Sequence, residues 1–140
     1  MILFCDTSAL VKLYIVEAES DRLKQLLVEA EAVAVCRIAW AEAHAAMSRR
    51  AREVPEDAAA IDRAKAALAD DWPHFVVLEV AQALVERAGE YADTFALRGY
   101  DSIQLAAAFE TARVSQLSTQ FACFDSRLNK AARTLGLRCL

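Results

Sequence analysis

The chain has 140 residues, and the combination of 56% hydrophobic with 26% charged side chains suits one folded domain and excludes a disordered chain. With only three Gly and two Pro, long linkers are not expected, so we treat residues 1–140 as a single domain. The formal net charge of −4 excludes a broad basic face that would steer nucleic acids over long range.

No apolar run approaches the roughly 18 residues of a membrane span. The opening apolar run stops at Asp6 and has no basic region before it, so we expect no signal peptide. These features predict a cytoplasmic protein with no membrane partner. The cysteines contain no C-x-x-C pair, and we expect reduced, buried thiols rather than disulfides or metal ligands.

Short apolar segments alternate with helical patterns along the chain. The predicted strands are 2–5, 33–36, 75–78, 121–124 and 137–139. The predicted helices are 9–14, 20–30, 38–52, 56–70, 80–98, 101–112 and 126–135. Gly99 is expected to end the fifth helix and Gly136 to give the seventh a left-handed cap. This alternation predicts an α/β fold, with a mostly parallel central sheet covered by helices on both faces.

Two of the predicted strands lead into the same pair of residue types. The first is followed by Asp6, Thr7 and Ser8, and the fourth runs into Asp125 and Ser126. Each Asp is also a good helix N-cap, which alone would explain its presence. Because ligands bind beyond the carboxyl ends of strands in an open parallel sheet, we expect these carboxylates to converge.

Two further acids stand out on helices. Glu42 has only apolar neighbours one turn away, so we expect a carboxylate in an apolar stripe that needs a cation, a raised pKa or a route to water past the small alanines. Asp101 opens an apolar helix with Gln104 three residues later, a spacing close to a capping box.

Taken together, Asp6, Glu42, Asp101 and Asp125 are the candidate catalytic and metal-binding residues. Carboxylates gathered at one sheet edge would repel one another unless a cation were present. Hard oxygen ligands suit Mg²⁺ or Mn²⁺, either of which can polarise a phosphodiester and activate water. Neither histidine is placed to act as a nucleophile or to complete a zinc site.

The chain resembles the PIN-domain ribonucleases, especially the VapC-type toxins of bacterial toxin–antitoxin pairs. The resemblance covers essentially the whole chain, and residues 97–106 are its most specific part. It is carried by residues 4–10, the Glu42 helix, residues 97–106 and residues 124–128. The resemblance implies a PIN-like three-layer α/β fold. It also places the family's acidic site on the four candidate acids, with Thr7 or Ser8 as the adjoining hydroxyl.

The same resemblance implies a metal-dependent endoribonuclease that is restrained by a cognate antitoxin and forms a homodimer. Of the 20 acidic side chains, the four assigned to the site leave 16 against 16 Lys and Arg, so RNA capture must rely on local patches. Lys12, Arg98 and Arg127 lie near the acids in sequence and are the candidate RNA contacts.

Other classes of protein remain as alternatives. One is another Mg²⁺-dependent phosphoryl hydrolase, but an aspartyl phosphatase needs a second Asp where Ser8 stands. A signalling receiver domain needs an acidic pair after strand 1 and an Asp after strand 3, where this chain has Phe4-Cys5-Asp6 and Glu79. A third alternative is a non-catalytic PIN-like binding module whose acids act only as caps.

Overall fold

Five parallel strands form one central sheet in a computed structural model that describes residues 1–140. The strands are β1 (Ile2–Cys5), β2 (Ala32–Cys36), β3 (Val76–Leu78), β4 (Thr119–Ala122) and β5 (Arg138–Cys139). Their spatial order is β3-β2-β1-β4-β5, and every neighbouring pair is parallel. The predicted α/β class is therefore confirmed.

Seven α-helices connect and cover the strands. They are α1 (Thr7–Tyr14), α2 (Ser20–Glu29), α3 (Ala39–Glu53), α4 (Ala58–Asp71), α5 (Gln82–Phe95), α6 (Gly99–Ser115) and α7 (Ser126–Thr134). Single 3₁₀ turns, Pro55–Asp57 and Trp72–His74, lie before and after α4. None of the seven helices combines the length and the apolar character that a bilayer span requires.

The alternation of side chains along the strands divides the core into two layers, one on each face of the sheet. Ile2 and Phe4 of β1 belong to a cluster formed with α5, α6 and α7. Leu3 and Cys5 face the other way, into a cluster formed with α1, α2, α3 and α4. Both faces are covered, which explains why the strands are almost continuously apolar.

The strand order creates a switch point between β1 and β4. The chain leaves β1 toward β2 on one side of it, whereas β4 lies on the other side. Connections on either side of such a point leave a crevice at the carboxyl ends of the two strands. Residues that follow β1 and β4 are therefore brought to one edge in the middle of the sheet.

Several expected boundaries were wrong, and two of them lie close to the candidate residues. The strand predicted at 121–124 lies at Thr119–Ala122, so Asp125 follows it after two further residues. The fifth helix ends at Phe95 rather than at Arg98, because Ala96 adopts a left-handed conformation with φ of 53° and turns the chain. Gly99 is consequently the first residue of α6 and not the end of α5.

The expected cap at Gly136 is confirmed. Gly136 has φ of 84°, a conformation that glycine adopts without steric cost. Its N–H donates to the Arg133 carbonyl at 3.0 Å, and the N–H of Leu137 donates to the Ala132 carbonyl at 3.0 Å. This pair of bonds is the Schellman ending, and it directs the chain from α7 into β5. The cysteines are free thiols, as expected, and Cys5, Cys36 and Cys123 are buried.

Candidate active site

Asp6 lies at the switch point, directly after β1. Its backbone N–H donates to the carbonyl of Ala122 in β4 at 3.1 Å, which holds the residue between the two strands. Its side chain caps α1, since Oδ1 accepts the Ala9 N–H at 2.9 Å. The residue is only 5% exposed, so this carboxylate is held in a fixed place rather than moving freely in water.

Asp125 lies beyond the end of β4, two residues farther from its strand than Asp6 is from β1. Its Oδ1 accepts the N–H of Leu128 at 2.8 Å and caps α7. The capping interpretation is thus correct for both strand-end acids. Capping uses one oxygen of each carboxylate, however, and Oδ2 of each accepts no N–H or hydroxyl hydrogen bond from the protein.

Ser8 connects the two strand ends. Its hydroxyl donates to Asp6 Oδ1 at 2.7 Å and accepts the Phe124 N–H at 3.3 Å. Phe124 immediately precedes Asp125, so one hydroxyl links the buried acid to the loop that carries the second acid. The Cys123 thiol also lies beside Asp6 and helps to keep its pKa from rising further.

Glu42 projects from the first turn of α3 into a different set of contacts. The buried stripe of this helix is formed by Ala39, Ala43 and Met47, and Glu42 lies at its half-buried margin. The sequence suggested that this carboxylate lies inside an apolar stripe, but the structure places it at the margin of that stripe. Its Oε1 accepts the Thr7 hydroxyl at 2.7 Å and Nε2 of Gln104 at 2.8 Å.

Asp101 is in the first turn of α6, but it does not cap that helix. The residue at the cap position is Arg98, and the cap has no side-chain hydrogen bond. The capping-box interpretation of Asp101 and Gln104 was therefore wrong. The helix begins two residues earlier than expected, and Gln104 bonds across to Glu42 and Thr7 instead.

All four acids line a single cleft of about 520 Å³ at the carboxyl ends of β1 and β4. Thr7, Ser8, Lys12, Arg98 and Phe124 line the same cleft. Arg127, the third candidate cation, is not among the lining residues. Its guanidinium donates to the carbonyl of Ala96 at 3.4 Å, beside a neighbouring cavity.

The charges in the cleft are poorly compensated by the protein. None of the four acids takes part in any ion pair of the structure. Burial raises the pKa of Asp6, although its hydrogen bonds from Ser8 and Ala9 oppose the rise. Burial also raises the pKa of Asp101, and the negative charges of Asp125 and Glu42 raise it further.

Two cations stand at the margin of this acidic surface. Lys12 Nζ lies 3.5 Å from a carboxylate oxygen of Glu17 and 5.0 Å from the centre of the Phe124 ring. Arg98 is exposed, and its charge lowers the pKa of Asp101 against the larger effects that raise it. The cleft therefore has an acidic floor and a rim on which Lys12 is paired with Glu17, which also lines the cleft, whereas Arg98 forms no ion pair.

The donor set of this cleft fits a hydrated divalent cation. As the side chains lie, no group of three or more acids, histidines or cysteines is close enough together to hold one ion directly. Mg²⁺ keeps several of its waters and usually takes only one or two carboxylates as direct ligands. Carboxylates that lack cation partners, one of them with a pKa raised by burial and by its acidic neighbours, offer the charge and the oxygen chemistry that such an ion requires.

Sequence reasoning missed Gln104 as part of the site. The residue is 2% exposed and lies beside Leu105 and three alanines in the buried part of α6. An amide within an otherwise apolar run of a helix is the signal that could have identified it, because a buried polar group needs a partner.

Three comparisons with known proteins agree with this geometry. The PIN-domain family model matches residues 3–133. The curated protein Ribonuclease VapC49 of Mycobacterium tuberculosis is 29% identical over 137 residues, which is 98% of this chain and 93% of the relative. The crystal structure of PAE2754 from Pyrobaculum aerophilum matches with a TM-score of 0.67 and 23% identity, over 99% of this chain and 89% of that one. VapBC2 from Rickettsia felis, solved bound to a DNA fragment from their promoter, matches with a TM-score of 0.67 and 12% identity over 100% and 98%.

Proposed function

The chain belongs to the PIN-domain family, and we propose that it is a metal-dependent endoribonuclease acting as the toxin of a toxin–antitoxin pair. The observation that carries this proposal is the convergence of Asp6, Glu42, Asp101 and Asp125 on one cleft without any cation partner. The curated relative named a ribonuclease, which matches along nearly the whole chain, supports the assignment of RNA as substrate.

We assign the four acids to binding Mg²⁺ or Mn²⁺. A divalent ion bound by these acids would activate a water for attack on a phosphodiester and would stabilise the leaving oxygen. The protein's own part is to fix the carboxylates: Asp6 and Asp125 are each held by the helix that they cap. Ser8 and Thr7 act as supporting hydroxyls, since one donates to Asp6 and the other to Glu42.

The rim cations are assigned to the RNA backbone. Lys12 and Arg98 line the cleft, so either can contact a phosphate that flanks the bond to be cleaved. Such contacts position a nucleic acid without reading its sequence. Arg127 lines a neighbouring cavity and not the cleft, so we assign the backbone contact to Lys12 and Arg98 in preference to it.

The partners follow from the same proposal. An antitoxin that offers an Arg to the cleft would match its charge, because a guanidinium engages a carboxylate through two hydrogen bonds. A solved toxin–antitoxin complex from Klebsiella pneumoniae, which matches with a TM-score of 0.56 and 24% identity over 86% of this chain and 84% of that one, supports an antitoxin as partner. The chain is also assigned to a two-fold homodimer, the commonest arrangement of soluble oligomers.

Expression in a bacterial host tests the toxin assignment. The wild-type chain should arrest growth and produce RNA fragments, and the product of the gene normally adjacent to it should relieve the arrest. Asp101→Asn is the matched control, because Asp101 makes no capping bond and the change removes only charge. An arrest that persists in Asp101→Asn, or a neighbouring gene product that neither binds nor rescues, would contradict the proposal.

A further inference from the structure

Gln104 makes an unusual pair of contacts from within the buried face of α6. Its Nε2 donates to Glu42 Oε1 at 2.8 Å and to Thr7 Oγ1 at 3.2 Å. The Thr7 hydroxyl, in turn, donates to the same Glu42 oxygen at 2.7 Å. Thr7 of α1, Glu42 of α3 and Gln104 of α6 thus form a closed triangle of hydrogen bonds. Thr7 and Gln104 both donate to Glu42 Oε1, and Gln104 also donates to the Thr7 hydroxyl.

The orientation of the amide is dictated by the charge that it faces. If the amide were turned over, Gln104 Oε1 would lie against a carboxylate oxygen and against a hydroxyl whose proton already goes to Glu42. Acceptors would then face one another. In the observed orientation Oε1 of Gln104 is buried without any donor, which is an unfavourable state for an amide oxygen. The amide orientation that allows the hydrogen bond to Glu42 therefore leaves Gln104 Oε1 without a donor.

The triangle divides the two oxygens of Glu42 between different roles. Oε1 accepts two hydrogen bonds, one from Thr7 and one from Gln104, and these occupy its lone pairs. Oε2 accepts no hydrogen bond from the protein and is the oxygen left available for another ligand. Without Nε2, Oε1 would keep only the Thr7 hydroxyl, and the half-buried side chain would be free to turn.

We propose that Gln104 is a positioning residue of the active site, whose amide locks Glu42 so that Oε2 is presented to the divalent cation. The inference rests on the proposed function, because it assigns Glu42 to the metal. Gln104 borders the cleft but is only 2% exposed, so its role is assigned through Glu42 and not through a contact of its own with the ion or the RNA. Outer partners that orient metal ligands typically change metal affinity or activity by about 10- to 100-fold when they are removed.

Gln104→Met tests the proposal, because methionine has nearly the same shape but no donor. Mn²⁺ affinity measured by calorimetry and kcat on an RNA oligonucleotide should both fall by about 10- to 100-fold. KM for RNA should change by less than about 2-fold, because a buried residue contributes no substrate contact. Thr111→Val is the matched control: Thr111 is also buried on α6, but its hydroxyl bonds only to the Ala107 carbonyl. This control should retain wild-type Mn²⁺ affinity and kcat.

The outcomes separate the two proposals. If wild type binds Mn²⁺ and cleaves RNA while folded Gln104→Met does both equally well, the positioning role is wrong and the proposed function stands. An equal loss in Thr111→Val would reduce the effect to packing and would also overturn the positioning role. If wild type neither binds Mn²⁺ nor cleaves RNA, the proposed function fails and the role of Gln104 fails with it.

A measurement on the wild-type protein does not depend on the folding of a variant. The side-chain amide of Gln104 gives a pair of resonances in a nitrogen–proton spectrum, which can be followed while Mg²⁺ is added. These resonances should shift with Mg²⁺, whereas those of Gln25, exposed on α2, should not. An unchanged Gln104 pair at saturating Mg²⁺ would overturn the proposal.

Discussion

Asp6 and Asp125 follow two neighbouring parallel strands, and each caps the helix that comes next. Cys5 pairs with Ala122 in the register, and each strand is followed by an Asp that accepts the backbone N–H of the residue three positions later. Each carboxylate therefore starts a helix with one oxygen and keeps the other free at the same sheet edge. Capping and ligand binding are compatible functions of one side chain, so neither interpretation of these acids excludes the other.

This double role can be separated at Asp125. Asparagine caps a helix about as well as aspartate, whereas alanine at a cap costs about 1 kcal/mol. Asp125→Asn should therefore keep the wild-type free energy of unfolding or exceed it, and Asp125→Ala should lose about 1 kcal/mol. Both variants should lose RNA cleavage, because both remove the charge. Urea denaturation and a cleavage assay measure the two effects, and cleavage retained by Asp125→Asn would reduce this residue to a cap.

The melting temperature should rise when Mn²⁺ is added. An ion that binds only the folded state stabilises it by about 2.7 kcal/mol when its free concentration is 100 times Kd. In a domain of this size that corresponds to roughly 10 °C. Glu42→Gln removes one of the charges that attract the ion and should show a clearly smaller shift in thermal melts. An identical shift in this variant and in wild type would place Glu42 outside the metal site.

The stability of the metal-free protein should depend on pH through Asp101. Its pKa is raised by burial and by the charges of Asp125 and Glu42, with Arg98 acting weakly in the opposite direction. A raised pKa means that the folded state binds the proton more tightly, so this group's contribution to stability falls as pH rises from its ordinary value of 3.8 through the raised value.

Asp101→Asn should thus be more stable than wild type at pH 7 in metal-free buffer, and the difference should shrink as the pH falls toward 4. Denaturation curves of both proteins at several pH values measure this difference. A difference in the free energy of unfolding that is constant with pH would show that folding does not raise the pKa of Asp101.

The salt dependence of RNA binding should distinguish Arg98 from Arg127. Each phosphate contact with a single strand contributes about 0.7 to the slope of log affinity against log salt. Arg98→Ala should lower that slope by about 0.7 and weaken binding. Arg127→Ala is the matched control, because its guanidinium lies beside a different cavity and bonds to a backbone carbonyl. Equal effects of the two substitutions would contradict the assignment of Arg98, in preference to Arg127, to the RNA backbone.

The α/β architecture could be predicted from the sequence, because short apolar runs indicate strands that are covered by helices on both faces. The positions of Asp6 and Asp125 could also be predicted, since residues that follow parallel strands lie at the carboxyl edge of the sheet. Helix ends that depend on the backbone conformation of a single residue were harder to predict from the sequence. Nothing in the local sequence indicates that Ala96, rather than Gly99, takes the left-handed conformation that ends α5.

Contacts between distant helices were the least predictable part of the site. Gln104 lies 62 residues from Glu42 in sequence, and the spacing of Gln104 from Asp101 suggested a local cap instead. Glu42 appeared to lie in an apolar stripe because Ala45 and Ala46 are small and apolar, although both are exposed. Only the packing of α1, α3 and α6 against one another decides these partners.

Cleavage of a single-stranded RNA by the purified protein, with Mn²⁺ and with a chelator, tests the central claim most directly. Wild type should cleave only with the ion. Asp6→Asn and Asp101→Asn, which preserve the fold, should lose activity by more than the ~100-fold typical of a lost outer partner of a metal. Cleavage by wild type in the presence of the chelator, or wild-type rates in both folded variants, would contradict a metal-dependent ribonuclease site in this cleft.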